Sequence, residues 1–216
     1  MKYSISEIES MLWKAAIGAG LHVGLAEDVS LAGGWLTARG FDGVGAVLMA
    51  LRGRLNGPVV PVIPVKNRGA LVFDDAGIAN CGPSAIDFLM ADDGIKEVRL
   101  FNVDSPLLII GLAGVGAGGY DREITLEFAN GGKITVSTWS TWNLVMSGPI
   151  PKAGCDVVLT CHQVTQTTSK SIPRIGGGVV SKEIWLNAVA LADMTYVPSN
   201  EASRAKGAGA GLTDND

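Results

Sequence analysis

The sequence predicts an α+β fold in which an N-terminal helical subdomain packs on a mixed α/β layer with an antiparallel hairpin. Apolar residues recur with the period of an α-helix over the first ~55 residues. Strand and helix patterns then alternate along the chain. Two of the strand patterns are separated only by Asn130-Gly131-Gly132, which is typical of a hairpin turn. A plain hairpin among alternating elements favours a mixed layer over a purely parallel sheet.

Three segments are expected within one compact domain. They are a helical subdomain over 1–56, a mixed α/β core over 57–198 and a C-terminal Gly/Ala-rich strip over 199–216. A chain of 216 residues is long enough to bury a substantial hydrophobic core.

Local signals place three helices in the first segment. Ser4 and Glu7 form the S-x-x-E pattern of a capping box, and Gly20 can end the first helix in the left-handed conformation. A second helix runs towards Gly40, and a third begins near Asp42. Tight glycine links between short amphipathic helices indicate a helical subdomain.

The core is predicted to contain several strands and three helices. Ser105 and Pro106 are the cap and first residue expected of a helix. The Pro-broken stretch 57–65 indicates an edge strand or an extended connector. The other predicted elements are strands at 70–75, 97–103, 122–128, 133–138 and 155–164 and helices at 83–92 and 181–197.

Composition excludes several classes of function. Hydrophobic residues make up 47% and charged residues 18%, which is typical of a globular protein. A net charge of -4 with thinly spread cations gives no basic stripe for nucleic acid or an anionic membrane. The polar, acidic start is unlike a secretory signal, and three cysteines without C-x-x-C spacing fit a reducing compartment. We therefore expect a cytoplasmic protein without nucleic-acid or membrane partners.

The glycines of residues 114–119 spell G-x-G-x-x-G, the dinucleotide-binding pattern. That mechanism needs a strand before the glycines and a helix after them. Here a helix pattern precedes them, so we predict glycines that end a helix and no Rossmann site. The sequence names no cofactor.

Cys81 is a candidate nucleophile. It precedes a predicted helix, whose dipole would lower the pKa of the thiol. Its partner would have to be His22 or His162, since the chain has 2 histidines. The alternative is a buried cysteine that acts as a small hydrophobic residue.

A second candidate is the glycine-rich stretch Gly176, Gly177 and Gly178, which runs into a predicted helix near Ser181. Free backbone amides there could bind a phosphate or carboxylate of a substrate. The alternative is a flexible connector.

The C-terminal strip supplies the third set of candidates. Glu201 is predicted as an acid or base, Arg204 as a carboxylate-binding residue and Ser203 as a substrate ligand. Asp214 and Asp216 offer oxygens that suit magnesium or calcium. The alternative is a frayed terminus.

Four blocks carry a family resemblance: the opening from Glu7 to Gly43, "CGPSAIDFL", "VDSPLLIIGLAG" and the ending "TYVPSNEASRAKGAGAGLTDND". Together they resemble a bacterial family catalogued as domain of unknown function three-seven-two-six. The resemblance covers most of the chain and implies no activity. It does favour a shaped role for the ending, because loops that mark a family usually carry function.

Residues 15–43 are also similar to the start of the malate/L-lactate dehydrogenase family that lacks a Rossmann fold. That family has an Asp-Ser-His triplet after the corresponding glycines, whereas this chain has "FDGVGAVL" and no histidine. The likeness therefore implies shared helical packing only.

Two functions follow from these observations as hypotheses. The first is a metabolic enzyme acting on a small anionic molecule. The second is a non-enzymatic accessory or assembly protein whose C-terminal strip docks within an oligomer. With either function we expect the chain to form a homo-oligomer.

Overall fold

The computed structural model describes residues 1–53, 63–91, 94–118, 122–129, 131–137, 143–163 and 175–195, and confirms the predicted α+β class. In this part of the chain the helices are α1 Ile5–Gly18, α2 Val23–Thr37, α3 Gly43–Arg52, α4 Ile78–Met90, α5 Pro106–Gly118 and α6 Lys182–Asp193. The strands are β1 Lys2–Ser4, β2 Val65–Asn67, β3 Ala70–Phe73, β4 Glu97–Val103, β5 Arg122–Phe128, β6 Lys133–Ser137, β7 Asn143–Ser147, β8 Cys155–Gln163 and β9 Gly177–Val179.

Local capping explains where the first helices begin. The Ser4 hydroxyl accepts from the Glu7 amide, and the Glu7 carboxylate accepts from the Ser4 amide, so the predicted capping box is confirmed. Asp42 caps α3 by accepting from the Gly45 amide at 2.9 Å. Gly20 follows α1 with a φ of 82°, as predicted for a left-handed stop.

One seven-stranded sheet runs in the order β2-β3-β4-β8-β5-β6-β7. Only β3 and β4 are parallel neighbours among the described strands, and the predicted β5–β6 hairpin is antiparallel. Val98, Leu100, Leu126 and Leu159 are fully buried on one face of this sheet. A second, two-stranded sheet pairs β1 with β9 and ties the two ends of the described chain together.

Helix α5 lies at the centre of the packing. It contacts β5 and β6 of the sheet and also α2, α3 and α4. Its buried residues face every direction around the helix axis, as expected of a helix without a solvent side. The helices therefore form two layers on one face of the sheet, with α4 and α5 inside and α1, α2, α3 and α6 outside.

The G-x-G-x-x-G glycines belong to this packing. Gly114 and Gly116 lie in the last turns of α5, while Gly119 lies outside the described residues. A Cβ on Gly114 would overlap the ring of Trp35, and one on Gly116 would overlap Ile86. The glycines thus allow α5 to approach its neighbours closely.

The predicted start of α4 is wrong. The helix begins at Ile78, not at Pro83, and Pro83 lies in its interior. The cause is a cap from a distant residue, because Asp104 Oδ1 accepts from the Ile78 amide at 3.0 Å. Cys81 consequently lies inside the helix and not before it.

No helix within the described ranges combines the length and the apolar character that crossing a bilayer requires.

Candidate functional site

A cleft of about 640 Å³ opens beside the amino end of α5. Its walls come from α3, α6, residues 105–107 and residues 150–153. We call it the α5 cleft. Its volume lies within the range of small-molecule sites, roughly 300–1,000 Å³.

Most of the wall is apolar. On α3, Leu48 and Met49 face the cleft, and on α6 Ile184 does so. Residues 150–153 contribute Ile150 and Pro151. Such a surface favours the apolar part of a ligand.

Two cations stand on the same cleft. Arg52 ends α3 and is exposed, and Lys152 is exposed in the segment before β8. The only carboxylate among the described lining residues, Asp42, is already engaged by the Gly45 amide. A guanidinium and an ammonium beside an apolar wall suit an organic anion.

The amino end of α5 adds to the positive electrostatic potential of the cleft. Pro106 and Leu107 line the cleft in the first turn of the helix, where the dipole is positive. Ser105 is 1% exposed, and its hydroxyl donates to the Ala46 carbonyl at 2.8 Å. This hydrogen bond links the start of α5 to α3, so it connects two walls of the cleft.

A polar cluster lies at the carboxyl ends of the parallel strands β3 and β4. Asp75 and Asn102 both have left-handed backbones, with φ values of 52° and 51°, and Asn102 Nδ2 donates to Asp75 Oδ1 at 2.6 Å. The Asn102 amide also donates to Asp156 Oδ1 at 3.0 Å. Residues with such backbones are often found at functional sites. Ligands often bind at the carboxyl ends of parallel strands.

Asp104 joins this cluster to the helices. Burial raises the pKa of its carboxyl to about 6, although backbone hydrogen bonds from Ile78 and Ser105 act against the shift. The negative charge of Asp75 raises the pKa further. The carboxyl therefore exchanges its proton close to neutral pH, as general acids and bases do.

Cys81 does not have the electrostatics expected of it. Burial, followed by the charge of Asp104, raises the pKa of its thiol to about 12, whereas a helix terminus was expected to lower it. The reason is the earlier start of α4, which places Cys81 in the core at 4% exposure. The thiol is protonated at physiological pH, so a nucleophilic role has no support here.

The glycine-rich stretch is also different from its expected form. Gly177 and Gly178 lie in β9, paired with Ser4 and Tyr3 of β1, and Gly176 precedes the strand. A Cβ on Gly178 would overlap Thr37. The stretch is thus a packed strand and not a loop. Helix α6, predicted to follow this stretch, does begin after Ser181, whose side chain accepts from the Ile184 amide at 3.2 Å.

The remaining predicted site residues lie outside the described residues, namely Glu201, Ser203, Arg204, Asp214 and Asp216. Their roles stay predictions. Within the described ranges, no group of three or more His, Cys, Asp or Glu residues could hold a metal ion.

The residues that define the cleft and the polar cluster are not among those predicted from the sequence. Arg52 and Lys152 are 100 positions apart, and no local pattern joins them. Asp75 and Asn102 did carry a signal. Each lies at the end of a predicted strand, and Asp and Asn tolerate left-handed backbones better than other non-glycine residues.

Residues 3–101 match the family model described as "Protein of unknown function (DUF3726)". The family resemblance predicted from the sequence is confirmed over this range. The match contains the opening block and "CGPSAIDFL", whereas "VDSPLLIIGLAG" and the ending lie beyond its limit.

Two malate dehydrogenases are among the solved structures that this chain resembles. The enzyme from Pyrococcus horikoshii OT3 has a TM-score of 0.50 at 13% identity, over 68% of this chain and 50% of that one. The enzyme from Entamoeba histolytica has a TM-score of 0.49 at 12% identity, over 68% and 49%. This chain spans about half the length of either enzyme. The likeness to the Pyrococcus horikoshii enzyme concerns the fold alone, and no curated protein matches the sequence significantly.

Proposed function

We propose that this chain, which matches a family of unknown function over residues 3–101, binds a small organic anion in the α5 cleft and acts on it as a metabolic enzyme. The observation that carries the proposal is the cleft itself, where Arg52 and Lys152 border an apolar wall. A carboxylate with a short hydrocarbon or aromatic part would match both surfaces.

The binding step rests on charge and on shape. Arg52 can hold a carboxylate with two parallel hydrogen bonds, and Lys152 adds a mobile positive charge. The apolar part of the ligand would lie against Leu48, Met49 and Ile150. Because Ser105 fixes α5 to α3, the cleft needs little reorganisation on binding.

The enzymatic step is supported by the groups at the end of β4. Asp104 is adjacent in sequence to Ser105, which lines the cleft, and its pKa of about 6 suits proton transfer near neutral pH. Asp75 and Asn102 are hydrogen-bonded to each other and have left-handed backbones, and Asn102 lies two residues before Asp104. We assign Asp104 as the candidate acid or base.

Binding is tested with a panel of small carboxylates, each paired with its uncharged amide, by thermal shift and calorimetry. We expect carboxylates to bind and amides to fail, and Arg52→Gln or Lys152→Gln to weaken binding by about tenfold, or 1.4 kcal/mol. Lys14→Gln is the control, since Lys14 is an exposed lysine outside the cleft.

A second pair of variants tests the place of binding. Ala153→Trp should fill the cleft and abolish binding, because Ala153 is an exposed lining residue. Ala190→Trp adds the same side chain to an exposed position of α6 that does not line the cleft, and should leave binding intact. The proposal would be contradicted by a carboxylate that binds equally well to both variants. It would also be contradicted if no carboxylate of the panel bound to the original protein.

The alternative function, an assembly protein with a docking C-terminal strip, concerns residues that the structure does not describe. It stays a prediction.

A further inference from the structure

A second cavity, of about 490 Å³, lies at the opposite end of the parallel strands, beside the amino ends of β3 and β4. Ala70 and Val72 form part of its lining, together with Arg68, Lys96, Glu97 and Arg99. We call it the basic groove. Three cations and one carboxylate leave it with a net positive charge, in a chain whose overall charge is -4.

The strand register brings these side chains together. Val72 of β3 is paired with Arg99 of β4, and Ala70 is paired with Glu97. Residues that alternate along a strand share one face, so Ala70, Val72, Glu97 and Arg99 lie on the same face of the sheet. The buried Leu71 and Val98 lie on the other face, which packs against the helices. The groove therefore belongs to the sheet face away from the α5 cleft.

Arg68 is held at the groove by a tight turn. The two residues between β2 and β3, Arg68 and Gly69, have φ values of 47° and 85°. Two-residue turns of this type favour asparagine and glycine, so an arginine here costs conformational free energy. The Lys96 amide donates to the Gly69 carbonyl at 3.2 Å, which fixes the turn against the start of β4. A costly arginine on an anchored turn indicates a role for its charge.

Two of the cations are available to a ligand. Arg99 forms an ion pair with Glu97, with Nε and Oε1 2.5 Å apart. Neither Arg68 nor Lys96 forms an ion pair within the described part of the chain. Both line the same groove, so a bound anion would be attracted by two positive charges.

We infer that the basic groove binds the phosphate group of a small soluble molecule. Arg68 and Lys96 would contact the phosphate oxygens, since both residue types are common phosphate ligands. The small side chains of Ala70 and Val72 leave room for the organic part, and the volume of the groove suits a compound of nucleotide size or smaller. This site is separate from the proposed carboxylate site and does not depend on it.

Calorimetric titration with inorganic pyrophosphate tests the inference, with ionic strength kept constant by sodium chloride. We expect one site per chain, and a loss of affinity of about tenfold or more in Arg68→Gln and in Lys96→Gln. Lys133→Gln is the matched control because Lys133 is exposed on the same sheet and pairs with Glu127 at 2.7 Å. Its affinity should stay within about twofold of the original.

Arg68→Gly separates a binding role from a structural one. Glycine adopts the left-handed backbone without strain, so this variant should melt at a higher temperature and yet bind pyrophosphate as weakly as Arg68→Gln. The inference is overturned if the unmodified protein shows no heat of binding at about 10 mM pyrophosphate, a concentration that detects even very weak sites. It is equally overturned if Arg68→Gln and Lys96→Gln bind as the original does. A protein that binds a nucleic-acid oligomer through these residues but not pyrophosphate would rule out a small-molecule site.

Discussion

Replacing Asp104 with asparagine should change how the stability of the protein depends on pH. The Asp104 carboxylate accepts from the Ile78 amide at 3.0 Å and so holds the start of α4. Asparagine keeps an acceptor oxygen of the same size at this position but cannot ionise. The substitution therefore removes the titration while retaining most of the cap.

The magnitude follows from the pKa of the carboxyl, which burial raises from 3.8 to about 6 in the folded protein. That difference corresponds to about 3 kcal/mol. Because the folded pKa is the higher one, the protonated form is favoured by folding. The contribution of Asp104 to stability is thus fully present below pH 3.8 and is lost as the pH rises through about 6. At higher pH the buried negative charge remains as a constant cost.

The assay is urea unfolding of the original protein and of Asp104→Asn at several values between about pH 4 and pH 8. Groups that titrate in both proteins cancel in the difference between their free energies of unfolding. We expect this difference to move by up to about 3 kcal/mol in favour of the variant as the pH rises. Asp74→Asn removes an exposed carboxylate that follows the neighbouring strand β3, and is the control. A difference that varies by less than about 0.5 kcal/mol for Asp104→Asn would refute the reasoning.

Three further predictions concern packing and reactivity. Gly114→Ala should lower the free energy of unfolding by about 1–3 kcal/mol, measured by denaturant titration, because its Cβ overlaps the Trp35 ring; an unchanged midpoint would contradict the close packing of α5. Ser105→Ala should lower the free energy of unfolding by about 1–2 kcal/mol in the same measurement, because the buried hydrogen bond to the Ala46 carbonyl is lost. Ser84→Ala, at a half-buried position of α4, is its control. Cys81 should resist alkylation by iodoacetamide at about pH 8 until urea unfolds the protein, because burial raises the pKa of its thiol to about 12; peptide mapping that finds rapid native labelling of Cys81 would argue against its burial.

Elements with local signals could be predicted from the sequence, and those with distant partners could not. The capping box of Ser4 and Glu7 and the helix-starting Pro106 depend on neighbours within three residues, and both are found as predicted. The start of α4 depends on Asp104, which is 26 positions from Ile78. Residues near Ile78 in the sequence therefore give no sign of this cap. The predicted position of Cys81 before the helix was wrong for the same reason.

The same distinction applies to the site. Strand β9 exists because β1 pairs with it, and the Met1 ammonium donates to the Val180 carbonyl across 179 positions. A glycine-rich stretch without that partner has the composition of a loop. The α5 cleft likewise combines Arg52 and Lys152 only through folding. The sequence predicted an anionic ligand for other residues of the chain, and that ligand stays a prediction.

The position of α5 between the sheet and the outer helices has a consequence for how the molecule opens. No face of this helix can be stable in water, so neither the sheet nor the outer helices can detach without exposing it. The two layers should therefore lose their structure in one cooperative step. In hydrogen exchange, the amides of Leu108 to Ala113 should exchange only through global unfolding, at the slowest rates among the described helices.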